Sequence, residues 1–337
     1  MENKKVTSLE VAKLAGVSQS AVSRVFTPGA SSSKKTNELV RKAAAKLGYR
    51  PNVLARSLIT GRSRIIGLVV AYLDNYFYPE ALELLSSALQ KKGYHVLIFM
   101  AGNTEDDIED AVDEILDYQV DGIIAASVSM SSDLAKRCGS AGVPVVLFNR
   151  SQDDERFSAV TSDNELGGQK VARFLLAGGH KKIGYIAGWE GASTQRDREK
   201  GFVTELARNG QELFAREVGN FNTDEARQAA RKMFTKKDFP DAVFIANDAM
   251  AIAVIDVIRF ELGLKVPDQV SVVGYDDVPI SSWPAYDLTT VRQPANRMVA
   301  ETVSILIESI ENKTTTARRI EIDGPLMVRG SARMSEK

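Results

Sequence analysis

Residues 7–26 of this 337-residue chain are TSLEVAKLAGVSQSAVSRVF, and they predict two short helices joined by a tight turn. Thr7 and Glu10 have the spacing of a capping box, in which each side chain bonds the backbone N–H of the other residue. Gly16 suits the positive φ that often ends a helix, and Ser18 can cap the helix that follows. Two short helices around a glycine-containing turn are typical of a helix-turn-helix.

A third helix over Ser33–Leu47 is predicted to support the first two, because its inward positions are apolar. The second helix turns Val22 and Val25 inward and leaves a polar row outside. Glutamine and arginine can bond the edges of adenine and guanine, whereas hydroxyls and lysines suit phosphates. The candidate DNA-contacting side chains of these helices are Thr7, Ser18, Gln19, Ser20, Ser23, Arg24, Lys34 and Lys35. A three-helix bundle with a solvated basic surface is the simpler alternative that this pattern leaves open.

The distribution of charge favours a polyanion partner at this end of the chain. The whole sequence has a formal net charge of −1. Residues 1–64 contain 13 lysines and arginines and three acidic residues, which gives +10 and leaves −11 for residues 65–337. Such asymmetry between two parts of one chain indicates a basic segment that binds nucleic acid.

Composition argues against several other classes of protein. The single cysteine, Cys138, excludes an internal disulfide and suits a reducing cytosol. Together with two histidines (His95 and His180) it is too little for a His/Cys zinc site, so we expect no metal and no cofactor. GxxxxGK[ST], GxSxG and HExxH motifs are absent, which argues against an enzyme. The sequence has no membrane-spanning apolar run and no signal-peptide pattern, so we expect a cytoplasmic protein.

The connector at residues 52–64 is more apolar than a simple tether. Asn52 can cap a two-turn helix over 53–59, after Pro51 has ended the preceding bundle. A helix that short is unstable alone in water, and Leu58 is costly to leave exposed. We therefore expect this segment to be either disordered or helical only when it packs on another surface.

Residues 65–337 alternate apolar strands with amphipathic helices, which predicts parallel sheets covered by helices. The expected strands, the first five of them buried, are Ile65–Val70, His95–Met100, Gly122–Ser127, Val143–Phe148, Ala159–Ser162, Ile183–Ala187, Val243–Ala246 and Val270–Tyr275. The alternation restarts at Ile183, which suggests two similar lobes. Ligands in such sheets bind beyond the carboxyl ends of the strands, and between two lobes this means the cleft.

Polar and aromatic side chains follow several of these strands. Carboxylates and amides can bind hydroxyl groups, and aromatic rings can pack on the C–H face of a sugar. The candidates are Phe77, Tyr78, Asn149, Arg150, Thr194, Arg198, Phe221, Asn247 and Asp276, with Thr194 and Arg198 expected on a polar loop. Capping, turns and core packing are simpler explanations for any single residue. Their coincidence at strand ends favours a site for a hydroxylated ligand.

The segments VTSLEVAKLAGVSQSAVSRVF, KKTNELVRKAAAKLGYRPN and LARSLITGRSRIIGLV resemble the DNA-binding domain and hinge of the LacI/GalR family of bacterial transcription regulators. The similarity continues through VDGIIAAS, GVPVVLFNR, LLAGGHKKIGYIAG, VPDQVSVVGYDD and LTTVRQP and covers nearly the whole chain. It implies an α/β fold with a helix-turn-helix three-helix domain at 1–51, a hinge helix and linker at 52–64, and a bilobed periplasmic-binding-protein-like core at 65–337. The core would consist of two parallel α/β sandwiches, an N-lobe (about 65–162 and 293–322) and a C-lobe (about 163–292 and 323–337).

The resemblance also implies how DNA is bound. The second helix would enter the major groove, and the connector would be a hinge helix that folds on operator DNA. The positions that match the family's base-reading and hinge contacts are Gln19, Ser20, Arg24, Asn52, Ala55 and Leu58. Leu58 matches a leucine that wedges into the minor groove and kinks the duplex. Asn37 departs from the family, which often has arginine there, and predicts the loss of one phosphate contact.

For the ligand, the resemblance places effector contacts at positions matching Phe77, Tyr78, Asn149, Arg198, Phe221, Asn247 and Asp276. The ligand would be a sugar, a polyol or a sugar acid, and Arg150 beside the cleft hints at the acid. The expected function is a sequence-specific repressor that binds double-stranded palindromic operator DNA as a homodimer, since no leucine heptads follow the core. The alternative is a periplasmic-type sugar-binding protein without a DNA function, which would have a signal peptide and no helix-turn-helix.

Overall fold

The computed structural model describes residues 6–27, 30–50, 62–71, 73–102, 105–128, 130–152, 154, 156–312 and 316–334. The chain divides into two compact units, Met1–Ser63 and Arg64–Lys337. The predicted hinge contacts at Asn52, Ala55 and Leu58 lie outside the described residues. Across the described part of the chain, no helix is long and apolar enough to cross a membrane.

The first unit contains three helices, α1 (Ser8–Ala15), α2 (Gln19–Phe26) and α3 (Lys34–Leu47). They enclose a small core of short apolar side chains, Val11, Ala12, Val22, Val25, Val40, Ala43 and Ala44. Valine and alanine allow the helices to approach closely, and this core is the main stabilisation that such a short unit can build.

The helix ends of this unit agree with the predicted sequence signals. The Thr7 amide donates to Glu10 Oε2 at 2.7 Å, and the Glu10 amide donates to Thr7 Oγ1 at 3.4 Å, which completes the capping box. Gly16 ends α1 with φ of 66°. Ser18 and Ser33 each accept a backbone N–H at the start of the next helix. Each of these caps is a local contact, which explains why the sequence alone predicts them.

The N-lobe of the second unit is a six-stranded sheet in which every neighbouring pair is parallel. Its strands are β1 (Ile65–Val70), β2 (His95–Met100), β3 (Gly122–Ala126), β4 (Val145–Phe148), β5 (Ser158–Ser162) and β11 (Arg319–Ile322), in the order β2-β1-β3-β4-β5-β11. Its helices are α4 (Phe77–Lys91), α5 (Glu105–Asp117), α6 (Ser132–Ser140) and α11 (Ala295–Asn312).

The C-lobe repeats this arrangement in the order β7-β6-β8-β9-β10-β12. Its strands are β6 (Ile183–Ala187), β7 (Ala215–Val218), β8 (Ala242–Ile245), β9 (Ser271–Asp276), β10 (Thr289–Arg292) and β12 (Leu326–Met327), of which only β12 is antiparallel to its neighbour. Its helices are α7 (Asn164–Ala177), α8 (Ser193–Arg208), α9 (Thr223–Phe234) and α10 (Asp248–Asp256), the last continued by a π-helical turn at Val257–Glu261. The prediction of two similar lobes is confirmed.

Two of the predictions from the sequence are wrong in detail. The strand His95–Met100 is not buried, because it lies at the edge of its sheet and leaves Ile98 52% and Met100 53% exposed. The polar segment after β6 is predicted to be a loop that includes Arg198, but it becomes helical at Ser193, where α8 begins. Thr194 and Arg198 therefore occupy successive turns of one helix.

The chain passes between the lobes three times, after β5, after β10 and after β11. The lobes also share core packing, since Val278 follows β9 of the C-lobe yet belongs to the apolar cluster of the N-lobe with Phe77 and Phe148. The ends of β5 and β9 meet between the lobes, because the hydroxyl groups of Ser162 and Tyr275 bond at 3.1 Å, and β10 pairs with β9 beside them.

Candidate functional site

The outer face of α2 carries the predicted base-reading side chains. Gln19, Ser20, Ser23 and Arg24 are exposed, whereas Val22 on the opposite face is completely buried. The predicted phosphate-contacting residues Thr7, Ser18, Lys34 and Lys35 are also exposed. Because helix periodicity alone separates these two faces, the sequence could place this surface.

Hydrogen bonds hold part of this surface in a fixed arrangement. Gln19 Nε2 donates to Ser8 Oγ at 2.9 Å, so the side chain links α2 to α1. On α3, Arg41 Nε donates to Asn37 Oδ1 at 2.6 Å, and the guanidinium lies 5.9 Å from the ring of Phe26. Asn37, which departs from the family pattern, therefore orients an arginine one turn along the same helix.

The predicted effector residues of the second unit are brought together at the strand ends. Asn149 and Arg150 follow β4, Asn247 follows β8, and Asp276 is the last residue of β9. Eight of the nine are buried, namely Phe77, Tyr78, Asn149, Arg150, Thr194, Arg198, Asn247 and Asp276, and Phe221 is half-buried.

Arg198 forms the centre of the C-lobe part of the site. Its Nε donates to Asn164 Oδ1 at 2.9 Å, and its NH1 donates to the Ala246 carbonyl at 2.5 Å. NH2 lies 3.6 Å from Asp276 Oδ1, and the guanidinium stacks 3.7 Å from the centre of the Tyr275 ring. These contacts fix the guanidinium plane, which suits it to a bidentate partner.

Asp276 is held by residues from both sides of the cleft. Gln293 Nε2 donates to its Oδ1 at 2.7 Å, and Asn75 Nδ2 donates to its Oδ2 at 3.1 Å. Its backbone has φ of 124°, in a region that non-glycine residues rarely adopt. Burial raises the pKa of this carboxyl, and the nearby Arg198 acts in the opposite direction.

Asp248 lies next to Asp276 and organises the segment that follows β9. It accepts bonds from the Val278 amide at 3.0 Å, Ser281 Oγ at 2.7 Å and Thr290 Oγ1 at 2.6 Å. Burial, reinforced by the charge of Asp276, raises the pKa of Asp248 to about 7. The three donors favour the ionised form, but they do not offset complete burial.

The N-lobe supplies amide, hydroxyl and guanidinium groups. Asn149 Nδ2 donates to the hydroxyl oxygen of Tyr78 at 3.0 Å. Arg150 NH2 donates to the carbonyl and the hydroxyl of Ser127, both at 3.0 Å. Burial raises the pKa of Tyr78, so its hydroxyl stays protonated at neutral pH and can both donate and accept.

Two aromatic residues of the C-lobe complete the lining. The guanidinium of Arg150 lies 5.9 Å from the ring of Trp189, a contact that spans the two lobes. Phe221 has φ of 57°, and its ring lies over Gly188, where an added Cβ would stand 2.3 Å from the ring. Only glycine at position 188 allows this placement of the ring.

Several buried polar atoms in the described part of the site have no hydrogen-bond partner. They are Asn149 Oδ1, Asn247 Nδ2 and Gln293 Oε1. Native proteins satisfy nearly all such atoms, so these atoms can bind a ligand with both hydroxyl donors and acceptors. Among the described residues, no cluster of His, Cys, Asp or Glu could hold a metal ion.

Sequence reasoning missed three residues of this region. Two of them could have been found from the sequence. Gln293 lies within the quoted family motif LTTVRQP, and Trp189 lies just after strand β6, where site residues are expected. Asn75 lies in the loop between β1 and α4, and no motif or strand-end position in the sequence indicates it. Asn247, a predicted site residue, is also a helix cap, because its Oδ1 accepts from the Met250 amide at 3.0 Å.

Family models match both parts of the chain. The model of bacterial regulatory proteins of the lacI family matches residues 8–52, and the model of a periplasmic binding protein-like domain matches residues 172–332. The HTH-type transcriptional regulator CelR of Thermobifida fusca is 32% identical over 98% of this chain and 100% of its own. The chain belongs to the LacI family of bacterial regulatory proteins.

Other LacI-family proteins are similar over the same length. The HTH-type transcriptional repressor PurR of Vibrio vulnificus (strain CMCP6) is 30% identical over 97% of this chain and 98% of its own. A crystal structure of the lac repressor dimer bound to operator and the anti-inducer ONPF matches with a TM-score of 0.88 and 28% identity, over 97% of this chain and 99% of that one. A CelR–cellobiose complex matches with a TM-score of 0.73 and 31% identity, over 97% and 100%.

These relatives confirm the predicted class of protein. The chain is a DNA-binding transcription regulator of the LacI family, and it is not an enzyme. The similarity includes the helix-turn-helix segment, which is inconsistent with the alternative of a periplasmic-type binding protein without a DNA function.

Proposed function

We propose that this regulator represses transcription as a homodimer on a palindromic operator, and that a sugar or related polyol in the interlobe cleft releases it. The observation that supports the ligand class best is the buried pair of Arg198 and Asp276, in which NH2 of the arginine lies 3.6 Å from Oδ1 of the aspartate. Side by side, the guanidinium can donate hydrogen bonds to ligand hydroxyls and the carboxylate can accept them, so an uncharged ligand with adjacent hydroxyls satisfies both groups.

The rest of the cleft has the groups that a sugar needs. Amide atoms of Asn149 and Asn247 are buried without a partner, and such groups discriminate strongly between ligands with and without a matching hydroxyl. The rings of Trp189 and Phe221 offer apolar faces to C–H groups. Cellobiose, which is bound in the structure of the relative CelR, is a ligand of this class.

On the DNA side, we propose that residues 1–51 bind one half-site, 52–64 form the hinge and 65–337 form the effector core. Gln19, Ser20 and Arg24 would bond base edges, and Leu58 would insert into the minor groove. A regulator that works on chromosomal DNA acts in the cytoplasm. Since DNA and ligand bind the same chain, each must change the affinity of the other by the same factor.

A homodimer is supported by apolar side chains exposed on the second unit. Ile98 and Met100 on β2 are 52% and 53% exposed, and Phe260 is 81% exposed. A second copy of the chain is the occupant we propose for these side chains, because a C2 pair matches a palindromic operator. We expect the full chain with Ile98→Glu and Met100→Glu to sediment as a monomer in the ultracentrifuge. An unchanged dimer would exclude β2 from the interface.

A thermal-shift screen followed by titration calorimetry tests the ligand proposal. The compounds are cellobiose, neutral monosaccharides, polyols and sugar acids, and a ligand that binds only the folded chain raises the melting temperature. Arg198→Ala should abolish the shift of any hit. Arg196→Ala, an exposed arginine on the same helix, is the control that should retain it. A hit that survives Arg198→Ala would place the site elsewhere, and a response to sugar acids alone would replace the neutral ligand with an anion.

A further inference from the structure

Asn75 connects the two lobes with a single side chain. It is half-buried in the loop before α4, and its Oδ1 accepts from the Phe77 amide at 3.0 Å. Its Nδ2 donates across the cleft to Asp276 Oδ2 at 3.1 Å. One amide group therefore contacts both the start of an N-lobe helix and the carboxylate proposed to bind the ligand.

The two oxygens of Asp276 have different partners. Oδ1 accepts from Gln293 and lies 3.6 Å from Arg198, whereas Oδ2 has Asn75 as its hydrogen-bond partner in the described residues. The backbone of Asp276 has an unfavourable φ of 124°, so contacts of the carboxylate with its neighbours must hold the residue in this conformation. A change at Oδ2 consequently acts first on Asn75.

The N-lobe end of this connection is rigid. Phe77, whose amide donates to Asn75, is 3% exposed and stacks on Phe148 with ring centres 6.2 Å apart. Its ring also meets that of Tyr78 edge to face at 5.5 Å. A displacement of Asn75 would therefore act directly on a packed helix start.

We propose that Asn75 is a positioning residue through which occupation of Asp276 changes the contact between the lobes. A ligand hydroxyl that donates to Oδ2 shares this oxygen and its negative charge with the Asn75 amide, and thereby weakens the interlobe bond. The inference rests on the proposed function only in assigning a ligand hydroxyl to Asp276. The interlobe bond itself can be measured without any ligand.

A disulfide reporter measures the interlobe contact in the full chain. Ser193 Oγ accepts from the Ser151 amide at 2.9 Å across the cleft, so the pair Ser151→Cys and Ser193→Cys should cross-link under mild oxidation. The native Cys138 is 1% exposed and does not compete. The rate of cross-linking then reports how long the lobes stay together.

Two substitutions of Asn75 are compared in this background. Asn75→Asp keeps an acceptor for the Phe77 amide but places a carboxylate against Asp276, whereas Asn75→Ala removes both bonds. We expect both to slow cross-linking by about threefold or more, as the loss of one hydrogen bond predicts. Asn209→Asp is the matched control, because the side-chain amide of Asn209 donates to the Glu205 carbonyl within its own helix end, and its rate should be unchanged.

A reversed pair separates the bond from general damage to the fold. Asn75→Asp combined with Asp276→Asn exchanges the carboxylate and the amide, and it should restore cross-linking to about the starting rate. An Asn75→Asp variant at the starting rate, or a reversed pair as slow as Asn75→Asp alone, would overturn the inference. Because the reporter contains no ligand, either result is distinct from a ligand screen without hits, which would contradict the proposed function instead.

Discussion

The two units of this chain place their predicted functional side chains in opposite environments. In the three-helix unit, Gln19, Ser20 and Arg24 stand in solvent outside a core of valines and alanines. In the second unit, Arg150, Arg198 and Asp276 are almost completely buried, with exposures of 1%, 2% and 3%. An exposed side chain can contact a large, charged DNA duplex. A buried side chain can bind only a small ligand that loses its hydration on entering the cleft, and this makes binding selective.

This difference also separates the forces that act in each unit. Phosphate binding by the basic unit is long-ranged and falls with salt, while hydrogen bonds in the buried cleft are shielded from salt and strengthened by the low dielectric. Substitutions in one unit should therefore leave the other function intact, unless they fall on the connection between the lobes.

The largest effect on DNA binding is expected from Leu58→Ala. A leucine wedge stabilises a kinked duplex, and its loss should weaken operator binding by about tenfold or more. Fluorescence anisotropy with an operator selected from random duplexes measures the change. Binding of a hit from the ligand screen should stay the same, which separates the two units. Unchanged operator affinity would exclude the wedge.

A second effect, on stability and not on DNA binding, is expected from Asp248→Asn, and it appears as a change in pH dependence. The pKa of Asp248 rises on folding from its ordinary value of 3.8 to about 7, so the folded state binds more protons between these values. Stability from this group is complete below about pH 4 and is lost as the pH rises through about 7.

Thermal unfolding of the two proteins at pH 5 and pH 8 tests this sign. Relative to Asp248→Asn, the wild-type chain should lose melting temperature as the pH rises. The comparison cancels the contribution of His180, whose pKa burial lowers. Parallel curves for the two proteins would contradict the raised pKa. The substitution should change operator binding only at pH values and temperatures at which the second unit unfolds.

The smallest effect is expected from Thr7→Ala, which removes the capping box of α1. Loss of an N-cap costs about 1 kcal/mol, a large share of the stability of a unit with so small a core. Hydrogen exchange should become faster in α1–α3 and stay unchanged in the second unit. Thr235→Ala, which removes a hydroxyl bonded to the Arg231 carbonyl in the C-lobe, is the control. Equal exchange in α1–α3 would show that the cap is dispensable.

Local signals explain which parts of the structure the sequence could predict. The caps of Thr7, Ser18 and Ser33 involve residues three apart, and the outer face of α2 follows from helix periodicity. The alternation of strands and helices likewise predicts the two lobes, because each βαβ unit has its own apolar pattern.

Non-local contacts explain what the sequence could not predict. Asn75 and Asp276 are 201 positions apart, and no pattern in either segment indicates the other. The exposure of β2 depends on its place at the edge of the sheet, which strand composition does not determine. The segment after β6 looked like a polar loop because α8 buries polar residues such as Gln195 and Arg198 against the cleft.

Titration calorimetry of a screened sugar, with and without a saturating operator duplex, tests most directly whether the cleft controls the DNA-binding unit. If the sugar lowers operator affinity by some factor, the operator must lower sugar affinity by the same factor. For the wild-type chain we predict that the sugar lowers operator affinity and that the operator lowers sugar affinity by the same factor. For Arg198→Ala we predict no sugar binding, with operator binding retained. A sugar affinity that is the same with and without operator would contradict the coupling.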